Sequence, residues 1–362
     1  MMLGASQDSS VHDLVSVVPA GGVGSRLWPL SRPDRPKFLI DLLGTGATLI
    51  QDTIARLEPL SEAVYVVTGE RHADAVAGQL PDLAAECIVA EPSPRDSMAA
   101  IALAAALIEE RMGERIMGSF AADHVIPDAQ AFRAAVRTAV DAARTGRVVT
   151  IGIAPTLPST AFGYIRAGAP LADAPGAFAV EAFTEKPDAQ TAAQFIAEGT
   201  SSWNAGMFVV STSVLLGHLA RLHPTLESGV REIAAAWDGP SRAEVLARVW
   251  PTLTRIAIDY AIAEPVAAEG GVAMVPGPFA WHDVGDFASL AELLTPDADG
   301  AIRIGRDAAV SLVDSEGALI VGGSKPVAVV GIPDAVVVET DEAILVTRRD
   351  AAQRVKDVSF QV

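Results

Sequence analysis

Apolar runs of strand length recur along the first half of the chain, at 15–19, 64–68, 87–90, 116–121 and 148–153. Between them, 48–57, 71–80, 97–111 and 129–145 carry helical spacing or strong helix formers. Short runs that are apolar on both faces suit strands covered on both sides by helices. The alternation therefore predicts βαβ units and an α/β fold around a mostly parallel sheet. Such sheets bind ligands beyond the carboxyl ends of their strands, which directs attention to the loop at 20–26.

The pattern changes near residue 295. Short apolar runs follow at 310–313, 319–321, 327–330, 336–338 and 344–346, roughly every eight to nine residues. Turn residues separate them: Asp314-Ser315-Glu316-Gly317, Gly322-Gly323-Ser324 and Gly331-Ile332-Pro333-Asp334. This predicts a small all-β unit, a solenoid or meander, closed by a short helix at 350–358. The expected organisation is a leader at 1–13, a main domain at 14–295 and a β-rich domain at 296–362.

Composition narrows the classes. Half of the 362 residues are apolar and 20% are charged, so the chain can bury a sizeable core. A formal charge of −18 argues against a nucleic-acid surface, which would need a basic stripe. An anionic substrate must then be held by a few local cations and a metal. The single cysteine, Cys87, allows no internal disulfide and suits a reducing cytosol; its run reads as a buried strand. The first residues lack a signal-peptide pattern, and the most apolar window, 98–108, is too short for a bilayer and ends in Glu109-Glu110-Arg111. The expectation is a cytoplasmic protein with no membrane partner.

The most informative segment is Ala20-Gly21-Gly22-Val23-Gly24-Ser25-Arg26-Leu27-Trp28-Pro29-Leu30-Ser31, followed by Pro36-Lys37. Glycines without a Cβ let backbone N–H groups approach a polyphosphate, and Arg26 and Lys37 can neutralise its charge. The segment is not a Walker A loop, because no Lys-Ser/Thr pair follows the glycines. Nor is it the dinucleotide fingerprint, since counting from Gly22 gives Gly24 and then Leu27.

These residues resemble the signature of the sugar-1-phosphate nucleotidyltransferases. The form with Trp28, Ser31 and Arg32 is similar to the mannose-1-phosphate guanylyltransferase (GDP-mannose pyrophosphorylase) branch, in a short form without an isomerase domain. The resemblance implies a Rossmann-like nucleotide-diphosphosugar transferase fold with a β-helix-like C-terminal unit. It runs through separated motifs over roughly 15–290.

In Ser119-Phe120-Ala121-Ala122-Asp123-His124, a carboxylate follows a strand-like run, where it could hold Mg²⁺ beside a triphosphate. The resemblance implies that Asp123 is a metal ligand. The same holds for Asp283 in Trp281-His282-Asp283-Val284-Gly285, while Asp286 reads as the cap of a helix starting at Phe287. Glu185-Lys186-Pro187 matches the family motif whose lysine reaches the sugar phosphate and whose glutamate contacts sugar hydroxyls. Gly163, Tyr164, Asn204 and Gly206 fall in further matching motifs. Glycine permits close approach there, and the Asn204 amide can donate to and accept from hydroxyls; Trp203 reads as packing. Glu91, Arg95, Asp96 and Ser97 precede the alanine-rich helix. Asp96 and Ser97 depart from the family's usual Asn-Thr, yet both can cap that helix. Glu91 or Asp96 could pair with a guanine edge.

The resemblance implies a Mg²⁺-dependent transfer of GMP from GTP to α-D-mannose 1-phosphate. Positioning and charge neutralisation by Arg26, Lys37 and Lys186 would dominate. Ala20, Gly21, Gly22, Gly24 and Ser25 would cradle the nucleotide. Alternatives remain open: the same chemistry on a heptose or glucose 1-phosphate, or a non-catalytic subunit that binds nucleotide sugar. A homodimer built through the C-terminal β-unit is a further expectation.

Overall fold

The computed structural model describes residues 14–305 and 309–358; the leader expected at 1–13 lies outside them. The described chain divides into two compact units that cut across sequence order. One comprises residues up to 21 with 54–121 and 126–281, the other 22–53, 122–125 and 282 onward.

The first unit is built on nine strands: β1 (Leu14–Ala20), β2 (Ala63–Gly69), β3 (Ile88–Glu91), β4 (Ile116–Ser119), β5 (Val148–Ile153), β6 (Tyr164–Pro170), β7 (Phe178–Thr184), β8 (Ser201–Ser211) and β9 (Val272–Pro276). Their order in the sheet is β3-β2-β1-β4-β8-β5-β9-β7-β6. The α/β class stands as expected, but the sheet is parallel only over β3-β2-β1-β4 and at the β5–β9 pair. β8 runs antiparallel to β4 and β5, and β7 antiparallel to β6 and β9. The β6–β7 pairing has a local cause: the two strands follow one another with only a turn between them, and a short link joins antiparallel neighbours.

In the parallel half, β1, β3 and β4 end at Ala20, Glu91 and Ser119, so these residues share the carboxyl edge of the sheet. The helix Asp96–Met112 is buried on every side over 98–108, with each residue at most 6% exposed. An all-round apolar helix belongs to a protein interior, and its many alanines let neighbours approach closely. Cys87 departs from expectation. It closes the 3₁₀ turn Ala85–Cys87 just before β3 and is half-buried, with its thiol pKa raised by burial.

In the second unit, β10 (Ile302–Ile304), β11 (Val310–Val313), β12 (Leu319–Gly322), β13 (Val327–Val330), β14 (Ala335–Glu339) and β15 (Ile344–Arg348) form two small sheets. Ile302 stands opposite Leu319, and Leu319 opposite Val336; Val310 stands opposite Val327. One coil therefore takes 17 residues and lays one strand in each sheet, which explains the apolar runs every eight to nine residues. β15 turns back antiparallel and a 3₁₀ segment, Arg349–Asp357, closes the unit. Leu319, Val336, Ala352 and Val355 share one core with Leu27, Ile40, Val125, Val284 and Phe287. The glycine loop and both aspartate segments thus rest on the same apolar support as the β-solenoid. Among the described residues, no helix is long and apolar enough to cross a membrane.

Candidate functional site

In the second unit, Gly24 has φ +77° and precedes the short turn Ser25–Leu27 that carries Arg26. The left-handed backbone there favours glycine. A Cβ on Gly24 would also lie 2.8 Å from the Cβ of Lys37. Ser31 Oγ donates to the Gly24 carbonyl, and Lys37 N–H donates to the Val23 carbonyl at 3.1 Å. Gly21 and Gly22 are exposed, with nothing within 4 Å of where their Cβ atoms would stand. Backbone left open in this way lets N–H groups approach an anion closely.

Lys37 is 5% exposed. Its ammonium lies 2.7 Å from Asp123 Oδ2, donates to the Asp283 carbonyl at 2.5 Å and reaches the Val284 carbonyl at 3.4 Å. The lysine therefore clamps the two aspartate segments, a role that the spacing of residues does not disclose. Burial alone would raise the Asp123 pKa, but Lys37 and His124 outweigh it and hold the carboxyl low. Asp283 moves the other way: burial raises it, Lys37 only partly offsets this, and Asp123 and Asp286 raise it further. The ammonium pairs with the Asp123 carboxylate and with the backbone carbonyl of Asp283, so one cation stands against two carboxylates that repel one another. That is a hard oxygen donor set suited to a divalent cation.

Among the described residues, no group of three or more His, Cys, Asp or Glu side chains is arranged to hold a metal ion. Asp123 and Asp283 are the two carboxylates that could hold such an ion. Val284, directly after Asp283, is buried at φ +46°. A β-branched residue there is strained, on the order of 1–3 kcal/mol. Arg26 Nε is buried without a hydrogen-bond partner. Asp286 caps the helix Phe287–Glu292 in a reciprocal box with Ser289, as expected.

A second cluster lies wholly in the first unit. Asn204, on β8, donates through Nδ2 to Asp259 Oδ1 at 2.8 Å. Its Oδ1 accepts from Thr150 Oγ1 at 2.8 Å and from Gly206 N–H at 3.1 Å. Both lone pairs of that oxygen are engaged, so the side chain offers a ligand one N–H donor and no acceptor. The expectation that it both donates and accepts is corrected accordingly. Glu185 and Lys186 pair at 2.8 Å after β7, and Lys186 has φ +46°. Burial works against the Lys186 ammonium, yet the Glu185 pair outweighs it and raises the pKa. A Cβ on Gly163 would stand 2.5 Å from Glu185 Oε2 and 3.3 Å from Asn204 Cβ, so Gly163 lets these two side chains come close. Tyr164 is 1% exposed and its hydroxyl accepts from Ser159 N–H at 3.0 Å, so this ring serves packing. Trp203, 5% exposed, meets Phe162 edge to face at 5.0 Å.

The residues before the alanine-rich helix divide in role. Glu91, at the end of β3, is 7% exposed with Oε2 unpartnered, and burial pushes its pKa up to about 7. Neither Asp96 nor Ser97 caps the helix. Arg95 occupies the cap position without a side-chain bond, and Asp96, at φ +66°, accepts from Ser97 N–H. Ser97 Oγ instead accepts from Ile258 N–H at 2.9 Å, and Arg95 Nη1 donates to the Leu253 carbonyl at 3.2 Å. Both are committed to fastening the 253–258 segment, which leads into Asp259. Sequence reasoning missed Asp259 and Glu264. The signal for Asp259 was an acidic residue set inside the apolar run 257–263; Glu264, just after that run, carried none.

Comparison with known proteins gives the family. The sequence pattern described as Nucleotidyl transferase matches residues 15–299. The chain belongs to this family. A second pattern, the MannoseP isomerase/GMP-like beta-helix domain, matches residues 308–361. This nucleotidyltransferase is 38% identical over 359 residues to xanthan biosynthesis protein XanB of Xanthomonas campestris pv. campestris (strain B100), covering 97% of this chain and 74% of that protein. It is 38% identical over 357 residues to the mannose-1-phosphate guanylyltransferase of Escherichia coli (strain K12), covering 96% and 73%. Among solved structures, a Thermus thermophilus protein described as a mannose-1-phosphate geranyltransferase is similar with a TM-score of 0.83 and 31% identity, covering 95% of this chain and 98% of that one.

Proposed function

We propose that this nucleotidyltransferase transfers GMP from GTP to α-D-mannose 1-phosphate, releasing pyrophosphate and giving GDP-mannose. The observation that carries the reading is the Lys37 clamp on the Asp123 and Asp283 segments, beside a glycine loop and a buried, unpartnered Arg26 Nε. The choice of sugar and base rests on the mannose-1-phosphate guanylyltransferases to which the chain is similar.

Transfer to a phosphate monoester needs no general base, because the nucleophile is already an anion near neutral pH. The protein's task is positioning and charge neutralisation. The backbone at Ala20, Gly21, Gly22, Gly24 and Ser25 cradles the triphosphate, and Arg26 stabilises the charge that develops on leaving pyrophosphate. Lys37 keeps Asp123 and Asp283 in register. Bound Mg²⁺, held by these two aspartates, would supply charge neutralisation at the phosphate oxygens. Lys186 takes the phosphate of the sugar phosphate, with Glu185, Asn204, Gly163 and Gly206 about the sugar. Glu91 presents its unpartnered carboxyl oxygen to a guanine donor edge. Catalysis belongs to 14–295 and the β-helical unit to 296–362. A cytoplasmic homodimer joined through that unit completes the reading, supported by exposed Val330, Ile344 and Val346.

The test is pyrophosphate release from purified protein with Mg²⁺, GTP and mannose 1-phosphate, against ATP, UTP and dTTP and against glucose 1-phosphate and a heptose 1-phosphate. Release confined to GTP with mannose 1-phosphate, and abolished by chelator, is the expected result. Preference for another pair would overturn the substrate assignment. Saturable GTP binding without release from any pair would overturn the enzymatic reading in favour of a binding subunit.

A further inference from the structure

The segment 259–264 forms a feature that the reading above leaves unused. Asp259–Ala263 is a π-helical turn, a rare geometry that recurs at functional sites. Its i→i+5 bond, from Glu264 N–H to the Asp259 carbonyl, brings two carboxylates onto one side of the chain. Asp259 then meets the Asn204 amide at 2.8 Å, and Glu264 Oε1 accepts from Glu185 N–H at 3.1 Å. An ordinary α-turn would align residues three or four apart instead. The π-turn is therefore what lets one short segment grip both Asn204 and Glu185.

We propose that Asp259 is the specificity-determining acceptor of the sugar subsite, paired with the single free N–H donor of Asn204 to read hydroxyl groups of a pyranose 1-phosphate. The inference rests on the reading that Glu185, Lys186 and Asn204 hold the sugar phosphate. Three observations on the first unit support it. The Asn204 amide is fixed: Thr150 Oγ1 and Gly206 N–H engage its oxygen, so Asp259 can only face the NH₂ end. Asp259 Oδ1 takes that bond, and a carboxylate carries a second oxygen that can accept from a ligand. Glu185, with Oε1 paired to Lys186, keeps a buried unpartnered Oε2 in the same cluster.

Burial and the neighbouring Glu185 push the Asp259 pKa up to about 6. The group is still mostly ionised at neutral pH, and thus an acceptor. A partly desolvated carboxylate discriminates sharply: a sugar lacking the matching hydroxyl leaves the charge without a donor.

The experiment compares wild type, Asp259→Asn and Asp259→Ala with mannose 1-phosphate and its 2-, 3-, 4- and 6-deoxy analogues, measuring kcat and KM for sugar phosphate and for GTP separately. Wild type is expected to lose about ten- to a hundredfold in kcat/KM on one deoxy analogue. Asp259→Asn should raise KM for mannose 1-phosphate about tenfold or more, keep KM for GTP within twofold, and lose discrimination against that same analogue. Asp259→Asn retains a carbonyl for Asn204 and serves where Asp259→Ala fails to fold. If Asp259→Asn discriminates among all the analogues as wild type does, or if KM for both substrates rises together, the proposal is overturned and Asp259 only supports the fold. If wild type turns over no sugar 1-phosphate at all, the underlying enzymatic reading fails, and that outcome is visible before any variant is compared.

Discussion

Gly24→Ala probes the joint at which the glycine loop meets the Lys37 clamp. The new Cβ would stand 2.8 Å from Lys37 Cβ, whereas carbon atoms settle at about 3.5–4.0 Å. Either the loop or the lysine stem must yield by about 1 Å. The lysine cannot yield freely, because its ammonium is committed to Asp123 and to the carbonyls of 283 and 284. Alanine at φ +77° costs about 1–2 kcal/mol, and forced overpacking about 1–3 kcal/mol more. A stiffer unfolded chain returns about 0.4–1 kcal/mol. The net loss is about 1–4.5 kcal/mol, and a misplacement of catalytic groups by about 1 Å costs on the order of 10²-fold in turnover.

The assay pairs denaturant unfolding with steady-state pyrophosphate release, and Gly22→Ala is the control. Gly22 has open space around its Cβ position and no left-handed backbone, so its stability should hold while KM for the nucleotide rises. If Gly24→Ala lost stability but kept kcat within threefold of wild type, the clamp would not depend on this contact. If stability and kcat both held, the left-handed turn against Lys37 would itself be refuted.

Lys37→Met keeps the apolar stem and removes the ammonium; turnover should fall on the order of 10²–10³-fold, and near-normal kcat would contradict the clamp. For Glu91, the folded pKa of about 7 lies above the ordinary 4.5, so the folded state holds an extra proton between those values. Its contribution to stability is present below about pH 4.5, falls by on the order of 3 kcal/mol as pH rises to about 7, and is level beyond. Glu91→Gln should flatten that slope in a series of thermal unfolding curves from pH 5 to 8; parallel curves for the two proteins would rule the assignment out. Asp286→Ala removes the capping box and the Gln353 contact and should cost about 1–2 kcal/mol in chemical denaturation, most of it restored by Asp286→Asn.

What the sequence disclosed was local. The βαβ rhythm, the glycine turn before Arg26 and the Asp286 cap are each set within a few residues, so pattern and turn chemistry find them. The coil length of the solenoid was present as half-periods, two apolar runs for each 17-residue coil. Strand direction from β5 onward was not legible from apolar runs. For β6 and β7 it follows from what joins them: no helix separates the two, and the turn residues Asp173-Ala174-Pro175-Gly176 lie between. The capping role expected for Asp96 and Ser97 failed for a related reason. A hydroxyl at a helix start is claimed by whichever donor lies nearest, and here that donor is Ile258 N–H, far along the chain.

Asn204 and Asp259 mark the deeper limit. A residue type states how many hydrogen bonds a side chain can make, but not how many the fold has already engaged. Asn204 brings four, and the fold engages three of them. Its chemistry toward a ligand is the remainder, which no motif prints. Asp259 hid for the opposite reason: amid Ala257, Ile258, Ala261 and Ile262 it reads as a blemish in a core helix. Yet a carboxylate in an apolar run must either find a partner or shift its pKa, since burying it bare costs too much. Asp259 does both, and the π-turn is the local departure that lets it. A polar residue that breaks an apolar pattern is therefore as strong a pointer to function as a glycine-rich loop, provided the fold shows what it was placed to meet.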